Sequence, residues 1–264
     1  MDLQLAGKRV LVTGASKGIG LAIVRAFQAE GASVAATARR TTPELESTGA
    51  AFFAADLATK DGPRQLVEAV LASTGGLDVL VNNAGGGEMP DGVLTDTFNG
   101  GDEVWAAAFD LNLSAAVRVT RAALPALVAT GNAAVVNISS DSARRVATDT
   151  PLPYIAAKAA LNAFSRVLAE RVAASGVRVN VVSPSATRTD ILTSKDGYAA
   201  RVADSLGIDH DTLLMNMPKQ LGMLTETLID PAEIARAVVL MASPAMPSTI
   251  GANWAIDAGA TKVA

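Results

Sequence analysis

The sequence predicts an α/β fold in which one doubly wound parallel sheet of about seven strands carries helices on both faces. Short β-branched runs alternate with longer stretches of helical apolar spacing, a pattern typical of βαβ units. Half of the 264 residues are apolar, which is enough to bury one large core. A glycine-rich turn lies between the first strand and the first helix. We therefore predict a single domain spanning residues 1–264.

The strands are predicted where β-branched and small apolar residues cluster between turn residues. They are Arg9–Thr13, Ser33–Thr37, Ala51–Ala55, Leu77–Asn82, Ala133–Ser139, Val177–Ser183 and Trp254–Ile256. The helices between them show apolar residues at three- and four-residue spacing. They are Ile19–Glu30, Pro63–Ser73, Glu103–Ala129, Pro153–Ala174 and Pro231–Ala242.

One stretch, Thr187–Leu228, interrupts this alternation between a strand and a helix. It is too long for a plain connection and contains Met215, Met217 and Met223. One interpretation is a pair of helices packed on the sheet edge. The other is a lid over an apolar substrate pocket, which we favour because the stretch follows the carboxyl end of a strand.

Composition narrows the function. With 22 Lys and Arg against 26 Asp and Glu, the chain lacks the positive field that nucleic-acid binding requires. Cysteine is absent and His210 is the single histidine, so thiolate and poly-histidine metal sites are excluded, and we expect no metal. Residues 1–12 do not resemble a signal peptide, and the apolar runs are of strand length. We expect a soluble cytoplasmic protein without a membrane partner.

The glycine-rich turn directly follows the first strand and contains Gly14, Gly18 and Gly20. Glycines there let the turn tighten and let backbone N–H groups approach a pyrophosphate, which the helix N-terminus also favours. A purely structural turn is the alternative, but this position between strand and helix favours a dinucleotide site in a Rossmann-like sheet.

The end of the second strand bears on which dinucleotide binds. A carboxylate at this position would accept hydrogen bonds from the adenosine ribose and repel a 2′-phosphate. The chain instead has Arg39 and Arg40, with Lys17 in the glycine turn. Guanidinium groups bind phosphate through several donors, so we predict NADP(H). The alternative is a solvated charge pair.

Tyr154 and Lys158 are four residues apart in a predicted helix, so their side chains share one face. A fixed ammonium beside a phenol favours the phenolate, which would let Tyr154 act as an acid or base near neutral pH. This pair also occurs by chance on surface helices.

A hydroxyl pair, Ser139 and Ser140, ends the fifth predicted strand. Doubly wound sheets bind ligands at this carboxyl edge, so one of the two hydroxyls is expected to polarise a substrate oxygen. Hydrogen bonding within a turn is the common alternative.

Taken together, these motifs resemble the short-chain dehydrogenase/reductase family in order and spacing over essentially the whole chain. The motifs are TGASKGIG at 13–20, Asp56-Leu57, Asn82-Asn83-Ala84-Gly85, Asn112, the Ser139-Ser140 pair, Tyr154 with Lys158, and Pro184 with Thr189.

The resemblance implies four catalytic residues. Tyr154 would be the general acid/base, Lys158 would lower its pKa and bind the nicotinamide ribose, and Ser140 would hold the substrate carbonyl. Asn112, inside the helix Glu103–Ala129, would bind a water that links Lys158 to solvent.

The resemblance also implies how the cofactor is held. Asp56 would meet the adenine amino group, Asn83 and Gly85 would line the cofactor, Ile19 would approach the pyrophosphate and Thr189 would touch the carboxamide. The full implied cofactor set is Gly14, Ser16, Lys17, Gly18, Ile19, Gly20, Arg39, Asp56, Leu57, Asn83, Ala84, Gly85, Tyr154, Lys158, Pro184, Thr187 and Thr189.

Some positions depart from the family pattern. Ser185 follows Pro184 where glycine is usual, and Asp257-Ala258-Gly259 replaces Asp-Gly-Gly. Asp141 directly after Ser140 is unusual. Arg144 and Arg145 could face substrate or solvent, and we favour solvent.

The predicted function is reduction of a carbonyl compound to an alcohol, or the reverse, with an apolar or aromatic substrate favoured by the methionine-rich stretch. A non-catalytic NADP-binding regulator is the alternative, against which the four catalytic residues argue. A third hypothesis is a scaffold role through the long helices Glu103–Ala129 and Pro153–Ala174, which in this family form a four-helix dimer interface. Such a role is compatible with catalysis. We expect a homotetramer or a dimer.

Overall fold

The computed structural model describes residues 1–90, 93, 96–145 and 150–262. Within them, seven parallel strands form one sheet in the order β3-β2-β1-β4-β5-β6-β7. The strand order reverses between β1 and β4. The connections that follow these two strands therefore run to opposite sides of the sheet, which opens a crevice between them. The strands are β1 Arg9–Thr13, β2 Ser33–Ala38, β3 Ala51–Ala54, β4 Val79–Asn82, β5 Ala133–Ile138, β6 Val177–Pro184 and β7 Asn253–Ile256.

Helices connect the strands and cover both faces of the sheet. Those of the described residues are α1 Gly18–Ala29, α2 Pro43–Glu46, α3 Gly62–Thr74, α4 Asp102–Phe109, α5 Ala115–Thr130, α6 Leu152–Val172, α7 Asp190–Thr193, α8 Tyr198–Leu206, α9 His210–Gln220 and α10 Pro231–Ala242.

The central strands are apolar along their whole length because helices cover them on both sides. Every residue of β4, β5 and β6 is buried, as expected for strands enclosed in a parallel sheet. One core cluster contains buried residues of α1 and α10, such as Phe27 and Ile234. The other contains residues of α3 and α5, such as Val70 and Val119. The sheet is thereby held rigidly between two layers.

The fold-class prediction is confirmed, and each predicted strand is present within two residues of its predicted ends. One predicted helix differs. The stretch predicted as Glu103–Ala129 consists of α4, a π-helical turn at Asp110–Ser114, and α5. Hydrophobic periodicity does not register a single widened turn.

The stretch Thr187–Leu228 contains α7, α8 and α9, and we call it the insert. Its two ends meet, since Thr187 forms a parallel β-bridge with Ile229. Ala199, Ala203 and Leu213 form a small cluster within the insert, separate from the two main cores. The insert is therefore a locally packed unit above the sheet edge.

One helical run, Asp102–Thr130, has the length and apolar composition of a membrane-crossing helix. The sequence analysis considered only uninterrupted apolar runs, which are of strand length, and so did not single out this run. In the fold, α5 packs against α3, β4 and β5. Core helices of globular proteins pass the same test, so this run is weak evidence for a membrane.

Candidate active site

The glycine turn between β1 and α1 is closely packed. Gly14 has a φ of +63°, a left-handed conformation that favours glycine. A Cβ on Gly20 would lie 2.1 Å from the carbonyl oxygen of Gly14. The amide of Asn83 donates hydrogen bonds to the carbonyl oxygens of Thr13 (2.9 Å) and Gly14 (3.1 Å). The turn is thereby fixed against the end of β4.

The N-terminus of α1 presents its backbone amides without a side-chain cap. Lys17, at the N-cap, makes no capping hydrogen bond, and no acidic residue lies in the first turn. In contrast, Thr42 and Asp230 accept capping hydrogen bonds in α2 and α10. Uncapped amides and the helix dipole suit an anion. The turn therefore fits the pyrophosphate of a dinucleotide.

Basic side chains lie in the glycine turn and directly after β2. Arg39 and Arg40 are exposed directly after β2, and Lys17 is exposed in the glycine turn. The hydroxyl of Thr42 donates to the carbonyl oxygen of Ser16 at 2.8 Å, which ties the loop after β2 to the turn. Asp56 is exposed after β3. These positions fit a phosphate carried on the adenosine ribose.

A buried hydroxyl connects the glycine turn to the loop after β4. The Oγ1 of Thr13 accepts hydrogen bonds from the backbone N–H groups of Asn83 (2.9 Å) and Ala84 (3.0 Å). It donates to the carbonyl oxygen of Val81. The sequence analysis did not single out Thr13, although its place at the end of the first strand was visible.

Asn112 and Lys158 come together around Gly85. A Cβ on Gly85 would lie 2.8 Å from the Oδ1 of Asn112 and 3.0 Å from the Nζ of Lys158. Both side chains are almost fully buried, with exposed fractions of 1% and 3%. Glycine at position 85 therefore leaves room for two polar groups that the sequence separates by 46 residues.

The π-helical turn fixes the orientation of Asn112. Its Oδ1 accepts from the N–H of Gly86, and its Nδ2 donates to the carbonyl oxygens of Gly86 and Ala108, each at 3.0 Å. Sequence reasoning placed Asn112 in a regular helix. The structure instead widens the helix there, and such turns are frequent at functional sites.

Lys158 is held beneath the end of β5. Its Nζ donates to the carbonyl oxygen of Ile138 at 2.8 Å. Burial disfavours the ammonium and lowers the pKa of Lys158 to about 8. The side chain is therefore able to change its charge just above neutral pH.

Tyr154 lies one helical turn before Lys158, whose Nζ is 5.8 Å from the centroid of the phenol ring. A Cβ on Gly87 would lie 3.4 Å from that ring. Burial is the main cause that raises the pKa of Tyr154, a hydrogen bond with the side chain of Ser140 lowers it, and the charge of Asp141 raises it. We expected Lys158 to lower this pKa. In the protein without bound cofactor, burial dominates instead, and the pKa of Tyr154 is raised.

Ser140 begins a short 3-10 turn and is the hydroxyl nearest the phenol. Its Oγ lies 2.8 Å from the Oγ of Ser142 and donates to the Oδ1 of Asp141 at 3.3 Å. Ser139 points elsewhere, since its Oγ donates to the carbonyl oxygen of Lys158. The structure therefore separates the two serines, and Ser140 is the one beside Tyr154.

Asp141 and Arg145 form a buried ion pair that sequence reasoning missed. The Nε of Arg145 lies 2.9 Å from the Oδ2 of Asp141, and the side chains are 14% and 4% exposed. The expectation that Arg145 faces solvent was wrong, because the 3-10 turn brings it back over the carboxylate. Arg144 is exposed. The four-residue spacing of acid and base was the available signal.

The segment after β6 contacts the glycine turn. A Cβ on Gly18 would lie 3.0 Å from the Cγ2 of Thr189. The buried Thr187 donates from its Oγ1 to the carbonyl oxygen of Ser185 at 2.8 Å, and Pro184 is buried at the end of β6. Leu57 is buried in the second core cluster. The contact of Gly18 with Thr189 therefore brings the start of the insert against the glycine turn.

Metal ligands do not cluster in the part of the chain that the structure describes, where no three His, Asp or Glu side chains come together as a metal site. His210, the single histidine, lies at the start of α9 with its Nε2 at 2.7 Å from the carbonyl oxygen of Leu192. His210 therefore connects α9 to α7 within the insert.

The chain resembles known proteins over most of its length. The family model for short chain dehydrogenases matches residues 8–198. Human L-xylulose reductase is 32% identical over 267 residues, which cover 98% of each chain.

Solved structures share the fold over nearly the whole chain. L-sorbose reductase from Gluconobacter frateurii, complexed with NADPH and L-sorbose, has a TM-score of 0.88 at 31% identity over all of both chains. Actinorhodin polyketide ketoreductase with NADPH has a TM-score of 0.85 at 26% identity over 97% of this chain and 98% of the other. The chain therefore belongs to the short-chain dehydrogenase/reductase family of nicotinamide-dependent oxidoreductases.

Proposed function

We propose that this protein is an NADP(H)-dependent reductase that converts a ketone to a secondary alcohol. The observation that supports this most is the convergence of Ser140, Tyr154, Lys158 and Asn112 at one edge of the sheet, beside an uncapped helix N-terminus. These residues lie on three different elements, the 3-10 turn after β5, α6 and the π-helical turn, and a protein that only bound the dinucleotide would not need the phenol and hydroxyl.

Each residue has a role in the proposed reaction. Ser140 donates a hydrogen bond to the carbonyl oxygen, and Tyr154 gives that oxygen a proton as the alcohol forms. Lys158 and Asn112 restore the proton to Tyr154 through the polar space around Gly85. When bound, the nicotinamide supplies the hydride. The depressed pKa of Lys158 suits this relay, since a group with a pKa of about 8 exchanges protons readily near neutrality.

NADP(H) is the proposed form of the cofactor. Lys17 is exposed in the glycine turn, Arg39 is exposed directly after β2, and no carboxylate directly follows β2. The 2′-phosphate of NADP(H) would form charge-assisted hydrogen bonds with them. Two of the solved relatives contain NADPH, which is consistent with this assignment.

The proposed substrate is a small polyhydroxylated ketone. L-xylulose reductase and L-sorbose reductase are named for sugars of this kind and match the chain over nearly its full length. A second candidate is an apolar or aromatic ketone, which is favoured by the exposed apolar residues of the insert. Leu206, Met215 and Leu224 are 61%, 75% and 76% exposed, and we propose that the insert acts as a lid that buries them on substrate.

A panel of ketones tests the proposal. NADPH consumption would be followed with L-xylulose, L-sorbose, acetophenone and α-tetralone, together with NADPH binding by calorimetry. Turnover of the sugars supports the first candidate, and turnover of the aromatic ketones alone supports the second. Tight NADPH binding without turnover of any ketone in a broad panel would instead support the non-catalytic regulator.

We also propose that the protein is a homo-oligomer, a tetramer or a dimer. Leu111, Leu152 and Val167 are exposed along the π-helical turn and α6. Apolar side chains repeated on neighbouring helices favour association with a second copy. Sedimentation equilibrium would give the number of subunits, and a monomer at every concentration would contradict the proposal.

A further inference from the structure

A buried carboxylate lies one residue after the hydroxyl assigned to the substrate. Asp141 is only 3% exposed, and both of its carboxylate oxygens are engaged. Oδ1 accepts from the Oγ of Ser140, and Oδ2 accepts from the Nε of Arg145. Burial of a charge without partners is strongly unfavourable. The ion pair of Asp141 and Arg145 therefore has a defined geometry, unlike a surface charge that is surrounded by solvent.

The local backbone holds this pair in place. Within the 3-10 turn, the carbonyl oxygen of Asp141 accepts from the N–H groups of Arg144 (2.8 Å) and Arg145 (3.1 Å). The turn brings the Nε of Arg145 to Oδ2 of Asp141, whereas Ser140 contacts Oδ1. One oxygen of Asp141 is thus neutralised while the other faces the catalytic hydroxyl.

We propose that Asp141, fixed by Arg145, is a positioning residue that, before substrate enters, accepts the hydrogen bond of the Ser140 hydroxyl and leaves the Ser140 oxygen to accept a hydrogen bond from Tyr154. An entering carbonyl oxygen then takes both hydrogen bonds, from Ser140 and from Tyr154. A serine has one hydroxyl proton and two lone pairs. When that proton points to Asp141, the oxygen accepts from the phenol, and Tyr154 is held in its protonated form. Only the expected effect on turnover rests on the proposed function.

The negative charge of Asp141 also favours the protonated form of Tyr154. It raises the pKa of Tyr154, because a phenolate beside a carboxylate is disfavoured. A protonated Tyr154 is ready to give its proton to a substrate oxygen, whereas alcohol oxidation needs the phenolate. Asp141 therefore favours carbonyl reduction and moves alcohol oxidation to higher pH.

Three other charged groups act on residues outside the Asp141–Arg145 pair and form no side-chain hydrogen bond with Asp141 or Ser140 among the described residues. Lys158 lies on α6 with its Nζ 5.8 Å from the phenol ring. The positive charge of Arg144 lowers the pKa of Asp257, which follows β7. The negative charge of Glu88, which follows β4, raises the pKa of Tyr198. Among the described residues, the Oγ of Ser140 forms hydrogen bonds with Asp141 and Ser142, and only Asp141 carries a charge. Asp141 is therefore the charge to change.

The chain allows a direct titration because it contains only two tyrosines. In a Tyr198→Phe background, the ultraviolet absorbance of the phenolate reports Tyr154 alone. We expect Asp141→Asn, which keeps an acceptor oxygen but removes the charge, to lower the observed pKa of Tyr154 by about one unit. Glu170→Gln is the matched control, since Glu170 also forms an i,i+4 ion pair with an arginine but is exposed on α6.

The titration needs no substrate, so it stands even if every ketone in the panel fails. Equal phenolate fractions in the parent and Asp141→Asn, at every pH at which both remain folded, would overturn the inference. The same holds if Glu170→Gln shifts the titration as much as Asp141→Asn. With an active substrate, the rising limb of kcat for alcohol oxidation should also move about one unit lower in pH in Asp141→Asn.

Discussion

The ammonium of Lys158 lies 5.8 Å from the ring centroid of Tyr154, but its hydrogen bond goes to the carbonyl oxygen of Ile138. In the protein alone, the two groups are therefore neighbours without a direct hydrogen bond. Burial acts on both in opposite senses, lowering the pKa of Lys158 and raising that of Tyr154. Both pKa shifts favour the uncharged forms of the two side chains. Five measurable consequences follow from this site and its surroundings.

Replacement of Tyr154 by phenylalanine should abolish reduction and leave NADPH affinity nearly intact. The phenol gives the proton in the proposed reaction but is remote from the phosphate cradle at Gly14 and Gly18. Loss of general acid catalysis costs on the order of 100- to 10,000-fold in rate. Steady-state kcat and calorimetric NADPH binding would be compared. Near-parental turnover by folded Tyr154→Phe would show that the acid is another group.

Stability should depend on pH through Lys158. Its folded pKa of about 8 lies below the ordinary value of 10.5, so the unfolded chain binds the proton more tightly in this window. Relative to Lys158→Met, the parent should gain about 2 kcal/mol of unfolding free energy between about pH 7 and about pH 9.5. Urea denaturation at both pH values measures this. A constant difference between the two proteins would contradict the burial of a titrating ammonium. Lys158→Ala should also weaken both kcat and NADPH binding.

The space around Gly85 is filled, whereas that around Gly86 is open. A Cβ on Gly85 would press on Asn112 and Lys158, but one on Gly86 meets nothing within 4 Å. Gly85→Ala should therefore lower the free energy of unfolding by about 1–3 kcal/mol. Gly86→Ala is the control, with a change of less than about 0.5 kcal/mol. Equal losses of unfolding free energy in Gly85→Ala and Gly86→Ala, measured by chemical denaturation, would contradict this difference in packing.

NADPH should bind more tightly than NADH, and Arg39→Asp should remove that preference. A hydrogen bond to a charged group contributes about 1.5–3 kcal/mol, which corresponds to roughly 10- to 100-fold in affinity. Arg121→Asp, a charge reversal at an exposed position on α5, controls for net charge. Dissociation constants for both nucleotides give the result, and a parent that prefers NADH would refute the assignment.

The insert should exchange its amide hydrogens faster in the free protein than with NADPH and a substrate analogue bound. Ala199, Ala203 and Leu213 form a small cluster of their own in the insert, whereas Met223 packs in the first main core cluster. Segments with few buried contacts open at low free energy, so the part around the small cluster should open most readily. Strands β5 and β6 serve as the internal reference, since every residue in them is buried. Uniform strong protection of the insert in the free protein would count against a lid.

The sheet was predictable from the sequence because its strands are enclosed on both faces. Such strands are short β-branched runs, and runs such as Val79–Asn82 stand out between turn residues. The pairing of Tyr154 with Lys158 was predictable for a similar reason, since a four-residue spacing on a helix fixes which side chains are neighbours. Local periodicity was sufficient in both cases.

The remaining features depend on burial and on hydrogen bonds between distant segments. The π-helical turn at Asn112 depends on a partner, Gly86, that is 26 residues away. The ion pair of Asp141 and Arg145 has a recognisable spacing, but only the packed structure shows that it is buried. The four-residue helix α2 is too short to produce a periodic pattern.

The two ends of the insert lie side by side on the sheet edge, where the N–H of Ile229 donates to the carbonyl oxygen of Ala186 and the N–H of Arg188 donates to that of Ile229. The insert thus leaves and rejoins the sheet through a narrow neck. Residues added or lost beyond the neck change the span of a closed loop, at a free-energy cost that grows only slowly with length. The catalytic residues lie outside this loop. If the insert is the proposed lid, grafting this one segment should exchange the substrate preference, while the proton-transfer residues stay where they are.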